Sequence, residues 1–412
     1  MNKLSSRSRI LVAGLFLAAC LLALWFSRFG GTYPATATDA APSEPQGAAA
    51  AGGELVDASP ALTDRGEPSQ PRGVNGTNLY LKASALLKQL SEAERKMIKE
   101  PREEVPEAET KALFEKLKPV LALIHEAAGA DYYDWGLGEF SFDKRQPQYT
   151  IILELARAAL WSSAYRFSED PAGAIEDLAA RRQIPSSETN VLIGGLVVST
   201  IESGALEVIR ENARHLDAST LERARTFLAE STLNQDVSRA FAGEAALMDP
   251  VFNTLSAMSP EERLKYARSL WGTDLGPAAE KVLLDPERLG DEASFIKKID
   301  AQMAEAVTWP DGQFNAWKSQ VTERLGDYPF AAKAFPAVTG VRDSIRRVQV
   351  EREMLAAGLA ILSAGPAAAA RARDPGTGNP FSYTTSATGF ELRSPTLDKK
   401  GKPISMRFAA PK

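Results

Sequence analysis

The chain has 412 residues, of which 44% are hydrophobic and 25% are charged, and its formal net charge is −5. This composition excludes a disordered polymer along most of its length, and the small acidic excess gives no electrostatic reason to expect a nucleic-acid partner. A single cysteine, Cys20, excludes an intrachain disulfide, and with only His125 and His215 besides it a Cys/His zinc site is excluded as well. We expect no metal and no cofactor.

Charge counted by region divides the chain into unlike parts. Residues 1–75 carry six basic and six acidic groups, residues 76–372 carry 35 and 44, and residues 373–412 carry seven and three. From residue 30 to 76, 31 of 47 residues are Ala, Gly, Pro, Ser or Thr, a composition typical of a disordered tether. The predicted segments are an anchor at 1–29, the tether at 30–76, an α-helical domain at 77–372 and a small tail at 373–412.

The N-terminus predicts a membrane segment. Three basic residues, Lys3, Arg7 and Arg9, come first. The 18 residues 10–27 that follow carry no charge, and as a helix they reach about 27 Å, just enough to cross a bilayer. Basic residues before such a run favour a cytoplasmic N-terminus. We therefore expect a single-pass protein of the bacterial inner membrane, held through residues 10–27, whose main domain is periplasmic.

Three outcomes of processing stay open for this segment. The first is a retained signal anchor, which the apolar run from Leu21 to Phe26 favours because it continues beyond the cysteine. The second is lipidation of Cys20, since Leu17-Ala18-Ala19-Cys20 resembles a bacterial lipobox. The third is cleavage after Ala35-Thr36-Ala37, a small-x-small pattern.

Residues 78–372 show the apolar spacing of α-helices. One helix from about Tyr149 and another near 338–363 carry clear apolar stripes. The pairs Asp170-Pro171 and Ser259-Pro260, the second followed by Glu262, are typical helix starts. Asp249-Pro250 indicates either a further start or a kink in one longer helix. We expect ten to thirteen helices, with short connections that make antiparallel hairpins the default.

One of these hairpins resembles a single tetratricopeptide repeat. The resemblance rests on Ala164-Tyr165, a polar break at 168–170, the run from Ala174 to Leu178, and Pro185. It implies close approach of two helices and a second helix that ends near the proline. The predicted fold is mainly α, made of antiparallel helical hairpins in a TPR-like, irregular bundle or solenoid.

The tail after Arg373 changes from helical to strand periodicity. Residues 374–380 are turn-forming throughout. Three short alternating segments follow, so we expect a small C-terminal antiparallel β-meander covered by the helical body. Their inward-facing residues are Phe381 and Tyr383, then Phe390 and Leu392, then Ile404, Met406 and Phe408.

Two further resemblances bear on identity. The runs Leu153 to Arg157 and Leu192 to Val197, together with Gly243-Glu244, make the chain similar to a family of uncharacterised bacterial proteins with a membrane segment, a helical body and a small tail. That family has no established activity to transfer. The tail also resembles the end of major pseudopilins of type II secretion, through Asp374-Pro375, Pro380-Phe381 and the residues that follow them, Tyr383, Phe390, Leu392 and Ser394. The pseudopilin processing signal is missing at the N-terminus, so filament assembly is not implied.

The least ordinary stretch is an aromatic and acidic loop at 131–143, which has five aromatic and four acidic residues. Ring faces beside carboxylates are suited to a peptide, a sugar or a cationic group. The alternative is that the rings fill the core while the acids face water. The candidate binding residues are Tyr132, Tyr133, Asp134, Trp135, Glu139 and Phe140.

Other candidates for chemistry are weak. His125-Glu126 begins like a zinc-protease helix, but Gly129 stands where the second histidine belongs. Two of the three residues Glu202, Glu207 and Glu244 could form an acid pair only if helix packing brings them together. The expected alternative is that they lie on helix faces exposed to solvent. We identify no catalytic residue and no metal ligand.

These observations favour a non-enzyme. The leading hypothesis is a membrane-tethered, extracytoplasmic scaffold or protein-interaction module of the bacterial envelope, with a protein partner there. The first alternative is an envelope hydrolase that uses a carboxylate pair, from Asp131, Asp134 or Glu139, on cell-wall material. The second is an accessory component of a secretion apparatus, suggested by the tail.

Overall fold

The computed structural model describes residues 73–99, 106–135, 148–186, 192–271, 275–398 and 401–409. Within them the chain forms thirteen α-helices and a three-stranded antiparallel sheet, which confirms the predicted mainly helical fold with a C-terminal β-meander. The helices are α1 (Gly76–Lys88), α2 (Glu92–Lys99), α3 (Glu107–Ala128), α4 (Gln148–Arg166), α5 (Pro171–Ser186), α6 (Leu192–Asn212), α7 (Ala218–Ala229), α8 (Leu233–Ser256), α9 (Pro260–Trp271), α10 (Pro277–Leu284), α11 (Pro286–Ala306), α12 (Asp311–Arg324) and α13 (Pro329–Ala364). The strands are β1 (Ser382–Ser386), β2 (Gly389–Leu397) and β3 (Pro403–Ala409).

Side-chain caps begin two helices where the sequence predicts them. The carboxylate of Asp170 accepts the N–H of Gly173 at 2.9 Å in the first turn of α5. Ser259 and Glu262 form the expected capping box before α9. The N–H of Ser259 donates to the Glu262 carboxylate at 3.0 Å, and the N–H of Glu262 donates to the Ser259 hydroxyl at 3.3 Å. Local sequence is therefore sufficient to place these starts.

Helices α8 and α13 continue through prolines, as α3 does at Pro119. Helix α8 runs from Leu233 to Ser256 with Pro250 inside it, so Asp249-Pro250 is not a helix start. Helix α13 has 36 residues and contains Pro336, and it begins nine residues before the predicted range of 338–363. Tertiary packing supports both helices across a residue that lacks the N–H for one backbone hydrogen bond.

Two apolar cores share helix α6. The N-terminal core joins α1 and α3–α5 to Val197 and Ile201 of α6. The C-terminal core joins α7, α8 and α11–α13 and the sheet to another side of α6, which includes Val198 and Ile209. Because α6 buries side chains toward both cores, it carries few of the charged positions that a surface helix would show.

Helix α6 is also the one helix of the described residues that is long and apolar enough to cross a membrane, counted from Leu192 to His215. Its most apolar window is 61% buried inside the protein. It packs against α4, α5, α8 and α13, as a core helix does. The segment predicted as the membrane anchor, residues 10–27, lies outside the described residues.

The sheet is a simple meander in the order β1-β2-β3. Phe390 pairs with Phe408 across β2 and β3, and their rings stack with centroids 4.9 Å apart. The alternate residues Leu392, Ile404 and Met406 are buried on the same face, which lies on α13. The predicted alternation therefore faces the helical body as expected, since an antiparallel sheet needs a cover on one side only.

A buried aspartate fixes the turn that leads into the sheet. The Asp374 carboxylate accepts the N–H groups of Gly376 at 2.7 Å and Thr377 at 2.8 Å. It also accepts hydrogen bonds from the hydroxyls of Thr396, at 3.0 Å, and of Ser394. The carbonyl of Gly376 in turn accepts the N–H of Asp311 at 2.8 Å. These bonds tie the turn both to β2 and to the start of α12.

Candidate functional site

An open cleft of about 400 Å³ lies between α3, α4 and α5. Ligand sites are usually concave, with polar groups that converge on the ligand. This cleft is concave and mostly polar, since six of its eight lining residues are ionisable. Its walls are formed by Phe114, Lys118, Leu121 and His125 of α3, by Arg166, and by Glu169, Asp170 and Asp177.

A histidine and a buried aspartate meet in this cleft. The Nε2 atom of His125 lies 2.7 Å from Oδ1 of Asp177. The side chain of Asp177 is 2% exposed, whereas that of His125 is 39% exposed. His125 is in the last turn of α3. The buried carboxylate therefore orients an imidazole whose ring is open to solvent.

Arg166 is the second side chain that Asp177 holds. Its Nη1 atom lies 3.1 Å from Oδ2 of Asp177, and its Nη2 atom contacts Asp170. Burial alone would lower the pKa of Arg166, but the two carboxylates outweigh that effect and raise it. The N–H of Gly173 and the Arg166 guanidinium lower the pKa of Asp170. The floor of the cleft is thus a rigid, charge-paired cluster.

Phe114, one of the two apolar residues that line the cleft, belongs to an aromatic cluster beside it. Phe114 packs against Tyr165 with ring centroids 5.0 Å apart, and Tyr165 stacks on Trp161 at 5.8 Å. The ammonium group of Lys118 lies 5.5 Å from the centre of the Phe114 ring. The cleft thus presents a ring face, a cation and an oriented imidazole together.

The first half of the predicted aromatic loop is placed elsewhere, against α1. Tyr133 and Trp135 stack on the buried ring of Tyr80, with centroids 5.8 and 6.3 Å away. The Tyr133 hydroxyl donates to the carbonyl of Ala127 at 2.7 Å, and burial raises the pKa of Tyr133. These two rings therefore pack into the core, which is the second of the two interpretations given for the aromatic and acidic loop.

The same loop forms hydrogen bonds with the residues at the start of α1. The carbonyl of Tyr132 accepts the N–H of Gly76 at 2.9 Å, and a carboxylate oxygen of Asp131 accepts the N–H of Val74 at 2.7 Å. The side-chain oxygen of Asn75 accepts the N–H of Asp134 at 3.1 Å. Tyr132 is half-buried and Asp134 is exposed. We infer that residues 131–135 mainly hold the start of α1.

Several predicted residues lie outside the described residues, namely Glu139, Phe140 and the lipidation candidate Cys20. Of the acids proposed for a carboxylate pair, neither Asp131 nor Asp134 lines the α3–α5 cleft. Within the described residues, no group of three or more histidine, cysteine, aspartate or glutamate side chains is arranged to hold a metal ion.

Sequence reasoning missed the pairing of His125 with Asp177. One signal was available, because Asp177 lies on the buried side of α5 between Ala174, Leu178 and Arg181. An ionisable residue inside an apolar helix stripe needs a buried partner. The sequence gives no way to choose that partner.

Comparisons of the chain with protein-family models, with curated proteins and with solved structures find no match.

Proposed function

We propose that the chain is a membrane-tethered, extracytoplasmic helical module of the bacterial envelope that docks a segment of a partner protein in the α3–α5 cleft. The observation that carries this is the cleft itself, which sets the Phe114 ring beside Lys118 and His125. The ring suits an apolar anchor of such a segment. Lys118, which also pairs with the exposed Glu115 at 2.7 Å, suits a carboxylate of the segment. The tether and the periplasmic location rest on residues 1–76 of the sequence.

The docking proposal is tested by crosslinking in intact cells. A photoreactive amino acid replaces Glu169, which is exposed at the cleft and leaves Phe114, Lys118 and His125 in place, and in a second strain it replaces Lys265, which is exposed on α9 away from the cleft. We expect one discrete adduct from position 169 that position 265 does not give. Phe114→Ala, which removes the ring, should abolish that adduct. Equal adducts from both positions, or none from either, contradict the proposal.

The predicted location has a separate test. A reporter enzyme that is active only outside the cytoplasm is fused after residue 88, at the end of α1. We expect activity with the natural N-terminus, and none when Ile10 to Ser27 is deleted. An inactive reporter behind the natural N-terminus would contradict the location without bearing on the cleft.

A second candidate function is hydrolysis, and one observation favours it. The Asp177 carboxylate orients His125 in the way that a carboxylate orients a general base, so the imidazole is suited to take a proton from water. This candidate replaces the predicted carboxylate pair by a histidine and an aspartate. The test is release of soluble fragments from purified cell-wall material by the full chain. Loss of release in both His125→Ala and Asp177→Asn supports hydrolysis, whereas release that both variants retain excludes this dyad.

A further inference from the structure

In the part of the chain that the structure describes, strand β3 is paired along one edge only. It pairs with β2 on one side, and among the described residues no backbone hydrogen bond joins its other edge to another segment. Proteins usually protect such edges by keeping them short or by covering them, because free N–H and C=O groups invite another strand. At seven residues β3 is not short.

A groove of about 450 Å³ lies beside this strand. One wall consists of the outward-facing Ser405, Arg407 and Ala409 of β3. The other is the end of α6 and the turn after it, with Arg210, Glu211 and Arg214. The groove is open to solvent, and the turn after α6 contacts β3 at one part of the groove.

The lining of the groove has three arginines and one glutamate. Two further carboxylates beside the groove, Glu391 and Glu207, pair with Arg407 and Arg210. The Arg407 side chain is 84% exposed, and its guanidinium lies 3.6 Å from the nearest carboxylate, that of Glu391. Arg210 lies 3.2 Å from the carboxylate of Glu211. The arginines of the lining, beside this edge of β3, are complementary to an acidic strand.

We propose that the outer edge of β3 binds an extended, acidic segment of a partner protein as a fourth strand. The main chain of that segment would pair with β3, and its carboxylates would meet Arg407 and Arg214. Alternate side chains of a strand point the same way, so acidic residues at every second position would face the arginines. This groove is separate from the α3–α5 cleft, so the two proposals stand or fall independently.

The test measures binding of a fluorescein-labelled peptide, Val-Glu-Val-Glu-Val-Glu-Val, to the full-length chain in detergent by fluorescence anisotropy. Two control peptides carry lysine in place of glutamate, or proline in place of the central valine, which interrupts a strand ladder. We expect the acidic peptide to bind saturably, more weakly at high salt, and to protect β3 amides from hydrogen exchange. The control peptides should not bind.

Two protein variants complete the experiment. Arg407→Glu should weaken binding at least about tenfold. The matched variant Arg225→Glu, at an exposed position on α7 outside the groove, should leave binding unchanged. Equal loss in both variants, binding of the proline peptide, or no binding of the acidic peptide overturns the proposal. A dimer of the free chain that Arg407→Glu dissociates would assign the edge to a second copy and would also overturn it.

Discussion

Gly358 of α13 lies directly under the aromatic ring of Phe408 of β3, so close that a Cβ atom at position 358 would overlap the ring. Because glycine has no side chain, the sheet can pack closely against α13 at this position. We expect Gly358→Ala to destabilise the fold by about 1–3 kcal/mol, the usual cost of overpacking a core, as measured by chemical denaturation.

Gly340 on the same helix is the matched control, because a Cβ atom there meets nothing within 4 Å. Gly340→Ala should stabilise the fold by about 0.5–1 kcal/mol through helix propensity alone. If the two variants changed stability in the same direction and by the same amount, contact with Phe408 would not be the reason for the glycine.

Arg182 and Glu202 form a buried ion pair between α5 and α6. Two bonds of 3.1 Å join them, and the guanidinium also donates to the carbonyl of Phe227 at 2.6 Å. Glu202→Leu leaves the arginine charge buried without its partner, so we expect a loss of about 3–5 kcal/mol in the free energy of unfolding. Arg182→Met with Glu202→Leu should recover most of that loss.

The exposed pair Arg223 and Glu176, between α7 and α5, is the control for that measurement. Glu176→Leu should cost less than about 1 kcal/mol, because exposed ion pairs contribute little. A loss at Glu202 as small as the loss at Glu176 would mean that water reaches Arg182.

The fold class was predictable because its signals are local. Helical periodicity, the capping box at Ser259 and Glu262, and the alternation of Phe390 and Leu392 each lie within a few residues. Pro250 shows the limit of such signals, since a proline after aspartate is compatible with both a start and a kink. Packing of α8 against α11 decides between them, and packing is not local.

The charged interior was not predictable in the same way. A solvated face was expected for Glu202, and that expectation is wrong, because the side chain is buried against Arg182. Twenty residues separate the two, and His125 and Asp177 are 52 apart. Pairs at such spacing depend on how whole helices pack, and no window of one sequence reports that.

Asp374 offers a test of how the tail is held. Burial raises its pKa, but the bonds from Ser394, Thr377, Gly376 and Thr396 outweigh burial and lower it. Asp374→Ala leaves those donors unsatisfied, and each buried one costs about 1–3 kcal/mol. We expect lower stability and faster hydrogen exchange throughout β1–β3.

Asp398→Ala is the control for Asp374, since Asp398 also accepts a backbone N–H, that of Lys402 at 2.9 Å, but in an exposed turn of the same sheet. Hydrogen exchange should then rise only near that turn. If both variants loosened the sheet equally, the buried turn would not be its anchor. Because the pKa of Asp374 is lowered, its contribution to stability should be present at neutral pH and lost as pH falls below the ordinary carboxyl range.

Asp300 should make the protein less stable as pH rises. Its side chain on α11 is buried, and burial, with the nearby charge of Glu244, raises its pKa from 3.8 to about 8. The folded state therefore keeps a proton that the unfolded state releases between about pH 4 and 8. Over that window this group lowers stability by at most about 1.4 kcal/mol per pH unit.

Asp300→Asn removes the titration and should remove that slope. We expect the stability of the variant, relative to the natural chain, to increase steadily from pH 4 to pH 8 and then to level off, since both states of the natural chain have by then lost the proton. Asp291→Asn, at an exposed position of the same helix, is the control for the substitution itself. Urea denaturation at five pH values measures both. If the free energy of unfolding changed with pH in the same way in all three proteins, Asp300 would be ionised in the folded state. Water or a cation would then lie beside Asp300 and Glu244.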